Sequence, residues 1–137
     1  MNSIAELRIR RVAKPETVTK VRHLLSAFFS VLDLHEQTVD DVLTAVGEVL
    51  ANAVEHAYSG MQPGDVALLV RADDHKTLIV DVSDQGTFIE RAPRNDRGFG
   101  MRIVRAVAKT VEIDTSNGTN VRMTFDIRGT VRPLRGT

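Results

Sequence analysis

The chain has 137 residues, 42% of them hydrophobic, which suits one ordinary domain with a single core and excludes a disordered chain. Eighteen basic and eighteen acidic residues give zero formal net charge, so wholesale attraction to nucleic acid or an anionic membrane is not expected. There is no cysteine, which excludes disulfides, thiolate metal sites and cysteine nucleophiles. Met1 to Glu6 has no basic stretch leading into an apolar one, and no apolar run approaches membrane-span length. A soluble, cytoplasmic protein is the expectation.

Leu7 and Ile9 alternate with charged residues and predict an amphipathic strand over residues 6–12. Lys14-Pro15-Glu16 ends it and opens a helix, because proline suits a first helical turn. Val18, Val21, Leu24, Leu25 and Phe28 recur at helical spacing, and Leu32 to His35 form a connector. The next helix carries the broadest apolar stripe, from Val39 through Val42, Val46, Val49 and Leu50 to Ala57. Thr38 is its expected cap, and Ser59-Gly60 its stop after about Tyr58. Glu48, Asn52 and His56 lie four apart and share a face beside that stripe.

Residues 65–72 and 76–83 read as two strands whose short connection makes them an antiparallel hairpin. Asp81 alternates out of phase with Val80 and Val82, so solvent exposure is expected for it. Gly86 to Gly98 is loop-like, and a short helix follows from about Gly100 to Ala108. Val111–Asp114 and Val121–Phe125 form a second hairpin around Ser116-Asn117-Gly118. The tail after Gly129 is basic, lacks periodicity and is expected to be loose. The sum is a single domain over residues 1–137 with its core at about 6–127. Its fold class is α+β, a two-layer sandwich of a mixed, mostly antiparallel sheet with helices on one face.

Several polar residues suit the edge of such a layer. The amide oxygen of Asn52 is a hard donor that fits Mg²⁺ bridging nucleotide phosphates. One turn earlier, Glu48 fits a proton acceptor for an incoming hydroxyl or water, and equally a hydrated helix face. His56 fits the phosphate side of the same pocket or a helix C-terminus. His23, His35 and His75 form no metal-binding spacing.

Asp84 ends a strand where a carboxylate can accept the exocyclic amino hydrogen of adenine, and Gly86 lets the turn come close to a base. An ordinary aspartate turn has the same residues. Gly98 and Gly100 open a helix whose N-terminal amides and dipole favour phosphate, with Arg97 adding charge, although two glycines also make a plain hinge. Gly118-Thr119 leads into the last strand, where Thr119 fits a hydrogen bond near Asp84 or a β-favouring turn exit. The chain has no Gly-Lys-Ser/Thr phosphate loop.

In this order the set resembles the GHKL ATPase and kinase superfamily, especially the small bacterial anti-sigma-factor serine/threonine kinases. Glu48-Val-Leu-Ala-Asn52-Ala-Val-Glu-His56-Ala57 is similar to its N-box, and Asp84-Gln-Gly86 to its adenine box. Arg97-Gly98-Phe99-Gly100-Met101-Arg-Ile103-Val104 is similar to its glycine-rich lid and following helix, and Gly118-Thr119 to its later nucleotide-site turn.

The resemblance spans roughly residues 10–127. It implies ATP and Mg²⁺ bound in a left-handed βαβ-containing sandwich, sheet on one side and helices on the other, with Glu48 as general base, Asn52 as magnesium ligand, Asp84 as adenine selector and Gly98 and Gly100 closing on phosphate. It places His56, Gly86, Arg97, Phe99, Met101 and Thr119 around the nucleotide. It further implies a sigma factor held by the protein, a serine or threonine phosphorylated on an anti-sigma-factor antagonist, and a homodimer; neutral charge and the lack of a recognition motif, despite Arg128, Arg132 and Arg135, lead to the expectation of no direct nucleic-acid partner. Thr87-Phe88, where many members carry glycine and an aliphatic residue, and the short segment before Gly98 motivate an alternative. That alternative is a nucleotide-responsive module that restrains a transcription factor without phosphorylating it.

Overall fold

The computed structural model describes residues 3–57, 64–73, 76–85 and 99–127, with Ser3, His56, Ala57, Phe99 and Gly100 described at the backbone alone. In chain order it forms β1 (Ser3–Val12), α1 (Pro15–Leu32), α2 (Glu36–Asn52), a π-helical turn (Ala53–Ala57), β2 (Asp65–Asp73), β3 (Thr77–Asp84), α3 (Phe99–Val107), β4 (Thr110–Asp114) and β5 (Thr119–Asp126). The strands make one sheet in the order β1-β2-β3-β5-β4. The sheet expected to be mixed and mostly antiparallel is antiparallel at every described pairing.

Alternation decides which side of the sheet is buried. Val66, Leu68, Val70 and Ala72 on β2, Leu78, Val80 and Val82 on β3, and Val121, Met123 and Phe125 on β5 all point to the helices and are at most 3% exposed. The register stacks them in rows, Val70 beside Val80 and Val80 beside Met123. Val21, Leu25, Phe29 and Leu32 from α1 and Val42, Val46, Val49 and Leu50 from α2 close the core from above.

Pro15 occupies the start of α1, where its missing N–H costs no intrahelical bond. The helix ends at Asp33, in the left-handed region at φ 57°, and the Asp33 and Leu34 amides donate to Ser30 and Phe29 carbonyls. Aspartate tolerates that conformation, but glycine holds it without a Cβ penalty. Asp33→Gly is therefore expected to stabilise the domain by about 1 kcal/mol and to raise Tm by about 2–5 °C in a thermal melt.

α2 begins one turn earlier than Thr38 would set it. His35 is the cap, its Nδ1 accepting the Gln37 amide at 3.1 Å, while Thr38 is buried on the apolar side at 3% exposure. Position on the buried face overrides the better capping chemistry of the hydroxyl. The far end of α2 also departs from expectation. Regular α-helix stops at Asn52, and Ala53–Ala57 forms a π-helical turn where a continuous helix to Tyr58 was expected; Tyr58 itself lies outside the described residues. Among the described residues, no helix is long and apolar enough to cross a membrane.

Asp81 points away from the helices, as its phase requires, yet its side chain is only 12% exposed. Arg122 on β5 holds it bidentately, Nε to Oδ1 at 2.7 Å and Nη2 to Oδ2 at 3.0 Å, and Arg71 approaches at 3.9 Å. Neighbouring arginines cover the carboxylate that a single strand would leave in water.

Candidate functional site

The β3–β5 ladder runs out of apolar residues at one end. Two positions beyond Val80 the core-facing place is Val82, and two beyond that it is Asp84; on the adjacent strand Val121 is preceded by Thr119. Asp84 and Thr119 are register partners, 7% and 5% exposed. An acid and a hydroxyl thus occupy the last row of a ladder that is otherwise apolar. Burying them costs free energy unless each has a polar counterpart. The Thr119 hydroxyl has no hydrogen-bond partner among the described residues.

Gly118 holds this corner together. Its φ is +70°, and a Cβ built on it would lie 2.2 Å from the Asp84 carbonyl oxygen and 2.9 Å from the Gln85 Cα. The turn entering β5 therefore presses its backbone against the strand end that carries the acid, and only glycine permits it. Sequence reasoning placed Thr119 beside Asp84 but did not identify Gly118 as the residue that sets their approach. The Asn117-Gly118 pair signals a turn; its partner surface is far away in the chain.

The direction of α2 follows from the opposite end of the molecule. A cavity of about 270 Å³ is lined by Thr38 and Asp41 from the start of α2, Val107 from the end of α3, and Phe125 and Asp126 from the end of β5. The start of α2 thus lies over the end of β5. With 17 residues α2 is roughly 26 Å long, and the eight residues of β5 span about 27 Å. Among the strands α2 packs chiefly on β5 and β3, so from that start it runs back along them, which directs Asn52 toward the Thr119 end of the sheet. α3 packs along α2 with its last turn at the same cavity, so its first turn, at Phe99 and Gly100, also points to the Asp84–Thr119 end.

Three chain segments are therefore brought toward one end of the layer: the end of α2, the β3–β5 strand ends, and the start of α3. Glu48 and Asn52 are both half-buried and one α-helical turn apart. The π turn begins directly after Asn52, and such turns are frequent at functional sites. Its wider i→i+5 bonding means that His56 does not continue the α-helical rotation from Asn52; only the backbone of His56 is described. Met101 is half-buried against the core, and Phe99 and Gly100 open α3. Gly86, Arg97 and Gly98 lie outside the described residues.

The donor set suits particular chemistry. A buried carboxylate and hydroxyl above an apolar floor suit the polar edge of a planar heteroaromatic ring that carries an exocyclic amine. The amide oxygen of Asn52 is a hard ligand. Among the described residues, no group of three or more His, Cys, Asp or Glu could hold a metal ion. A single protein oxygen suits Mg²⁺, which keeps several waters and takes other ligands from substrate phosphates.

Similar proteins carry related names. Serine-protein kinase RsbW of Bacillus pumilus is 27% identical over 142 residues, covering 90% of this chain and 88% of its own. Anti-sigma F factor of Clostridium acetobutylicum is 23% identical over 130 residues, covering 86% of this chain and 90% of its own.

Among solved structures, that of the RsbU and RsbW domains of Rv1364c from Mycobacterium tuberculosis superposes with a TM-score of 0.74 at 21% identity. The match covers 97% of this chain and 34% of that one, a likeness of fold. Most of the present chain, residues 12–125, matches the family described as the histidine kinase-like ATPase domain, and the chain belongs to that family.

Proposed function

We propose that this chain is a cytoplasmic anti-sigma factor that uses Mg-ATP to phosphorylate a serine or threonine hydroxyl of an antagonist protein. In this reading it binds a sigma factor and exchanges it for the antagonist, acting as a homodimer. The observation that carries the reading is the Asp84–Thr119 pair, the last core-facing row of the sheet, at the end toward which α2 brings Glu48 and Asn52. Relatives that match most of the chain are named serine-protein kinase RsbW and anti-sigma F factor, which supports the same reading.

Each residue has a distinct task. Asp84 accepts the exocyclic amino hydrogen of adenine, and guanine, with a carbonyl there, is rejected because two acceptors would meet. Thr119 supplies a hydroxyl beside it, and Gly118 keeps the two strand ends at contact distance. Asn52 is the residue that would hold Mg²⁺, which when bound neutralises charge on the phosphate oxygens.

Glu48, one turn from Asn52, accepts the proton of the attacking hydroxyl as its oxygen bonds to the γ-phosphorus and ADP departs. Gly98, Gly100 and the start of α3 offer backbone N–H groups to phosphate, with Arg97 adding positive charge. His56, Gly86, Phe99 and Met101 complete the surround.

The test is transfer of radiolabelled γ-phosphate from Mg-ATP to a cognate antagonist. A phosphorylated hydroxyl in the antagonist, located by mass spectrometry, is the expected product. No transfer to an antagonist verified to bind would reject kinase activity. If nucleotide then still changed partner affinity in calorimetry, the non-phosphorylating module would replace this reading.

A further inference from the structure

The β4–β5 hairpin turns over residues 115–118, and both ends of the turn are tied. At the β4 end the Asp114 carboxylate accepts the Ser116 amide at 2.9 Å and the Ser116 hydroxyl at 2.7 Å. At the β5 end Gly118 is pressed against the Asp84 carbonyl and the Gln85 Cα. Asn117 lies exposed between these anchors. Among the described residues, no backbone hydrogen bond occupies the Gly118 amide.

Asparagine before glycine has a reaction of its own. The amide nitrogen of Gly118, once its proton is taken by base, can attack Cγ of Asn117. The N–Cγ bond forms, the Cγ–Nδ2 bond breaks, and ammonia departs carrying that proton, which leaves a five-membered succinimide. Glycine favours the step because it has no Cβ to shield its nitrogen. Of the five asparagines in the chain, only Asn117 precedes glycine. Asn52 lies in α2 and Asn120 in β5, where regular backbone holds the following amide away from the side chain.

Water then opens the ring at one of two carbonyls. At Cγ it gives aspartate on an ordinary main chain. At the Asn117 main-chain carbonyl it gives isoaspartate, in which the chain reaches Gly118 through Cβ and Cγ and is longer by one carbon, about 1.5 Å. A turn anchored at both ends has no room for that length. Either Ser116 releases Asp114, or Gly118 is displaced along the β3 end and Thr119 shifts from its register partner Asp84. A carboxylate also replaces a neutral amide three residues after Asp114. The bonds from Ser116 hold the Asp114 carboxyl below its ordinary range and so keep it ionised, and like charges then oppose the tight turn.

We propose that Asn117 is a modification site, where deamidation to isoaspartate through Gly118 loosens the Asp84–Thr119 corner and ends nucleotide binding in the ageing chain. The loss of nucleotide rests on the adenine role given to that corner in the proposed function. The conversion and the loosened corner do not.

Holding the purified chain in mildly alkaline buffer tests it, with site and product read by peptide mass spectrometry and isoaspartyl methyltransferase labelling. The Asn117 peptide should gain the mass difference between amide and acid, chiefly as isoaspartate and faster as pH rises, while Asn52 and Asn120 stay intact. The isoaspartate form, separated by chromatography, should melt about 5 °C or more below fresh protein and bind Mg-ATP at least about tenfold more weakly. Asn117→Ala, carried through the same incubation, should keep its stability and affinity. Fresh Asn117→Asp, with the charge but the ordinary main chain, should bind within about twofold of wild type.

Asn117 intact in the folded chain, while it converts in the urea-unfolded chain, would overturn the site. Conversion with unchanged stability, or with unchanged Mg-ATP affinity in a protein that binds it when fresh, would overturn the link to the corner. An equal decline in Asn117→Ala would do the same. Fresh protein that binds no Mg-ATP would overturn the proposed function and the loss of nucleotide, while the conversion and the lower Tm would stand.

Discussion

Glu48→Gln is expected to lower phosphate transfer by about 10²–10⁴-fold while leaving Mg-ATP affinity within a few-fold of wild type. The two side chains share size and shape, so the half-buried place beside Asn52 is filled as before. What disappears is a group that can accept a proton as the hydroxyl attacks. The magnitude follows from that single loss, because adenine recognition and metal binding are assigned to Asp84 and Asn52. Single-turnover transfer alongside calorimetric titration separates the two quantities. Equal loss of binding and transfer would make Glu48 a structural or binding residue, and unchanged transfer would remove it from the reaction.

Gly118→Ala should cost about 2–4 kcal/mol of stability, and nucleotide affinity should fall by at least about tenfold in the protein that remains folded. Two penalties coincide. Alanine at φ +70° is strained, and its Cβ would sit 2.2 Å from the Asp84 carbonyl oxygen. That obstacle is main chain and cannot swing aside as a long side chain would. Either the β3 end moves, displacing Asp84 from Thr119, or the turn opens. Denaturant unfolding reads the first number and calorimetry the second. Asn117→Ala, at an exposed neighbouring position, should alter neither appreciably. Wild-type stability and affinity in Gly118→Ala would mean that the contact at this corner is dispensable.

Much of this architecture is legible in the sequence because burial imposes a period. The two-residue alternation of β2, β3 and β5 and the apolar stripe of α2 each point to one side, and the short connections force antiparallel pairing. The same parity, counted on from Val80 through Val82, reaches Asp84 on the core-facing side. An acid in that phase is out of place in a core, which makes it a stronger signal than an acid at a turn.

Other features are set by residues distant in the chain. Asp81 has the phase of an exposed residue and is covered only because β5 brings Arg122 beside it. Gly118 carries a turn signal, but its contact with Asp84 exists only once β3 and β5 pair. The π turn has no local signature, since Ala-Val-Glu-His-Ala would continue an α-helix equally well. At the start of α2, Thr38 and His35 compete for the cap, and the burial of Thr38 decides it.

A crystal structure of the Mg-ATP complex tests the central claim most directly. The adenine amino group should donate to the Asp84 carboxylate beside Thr119, with the Asn52 amide oxygen on the metal. An adenine ring seated away from the β3–β5 strand ends, or a metal with no contact to Asn52, would contradict the account.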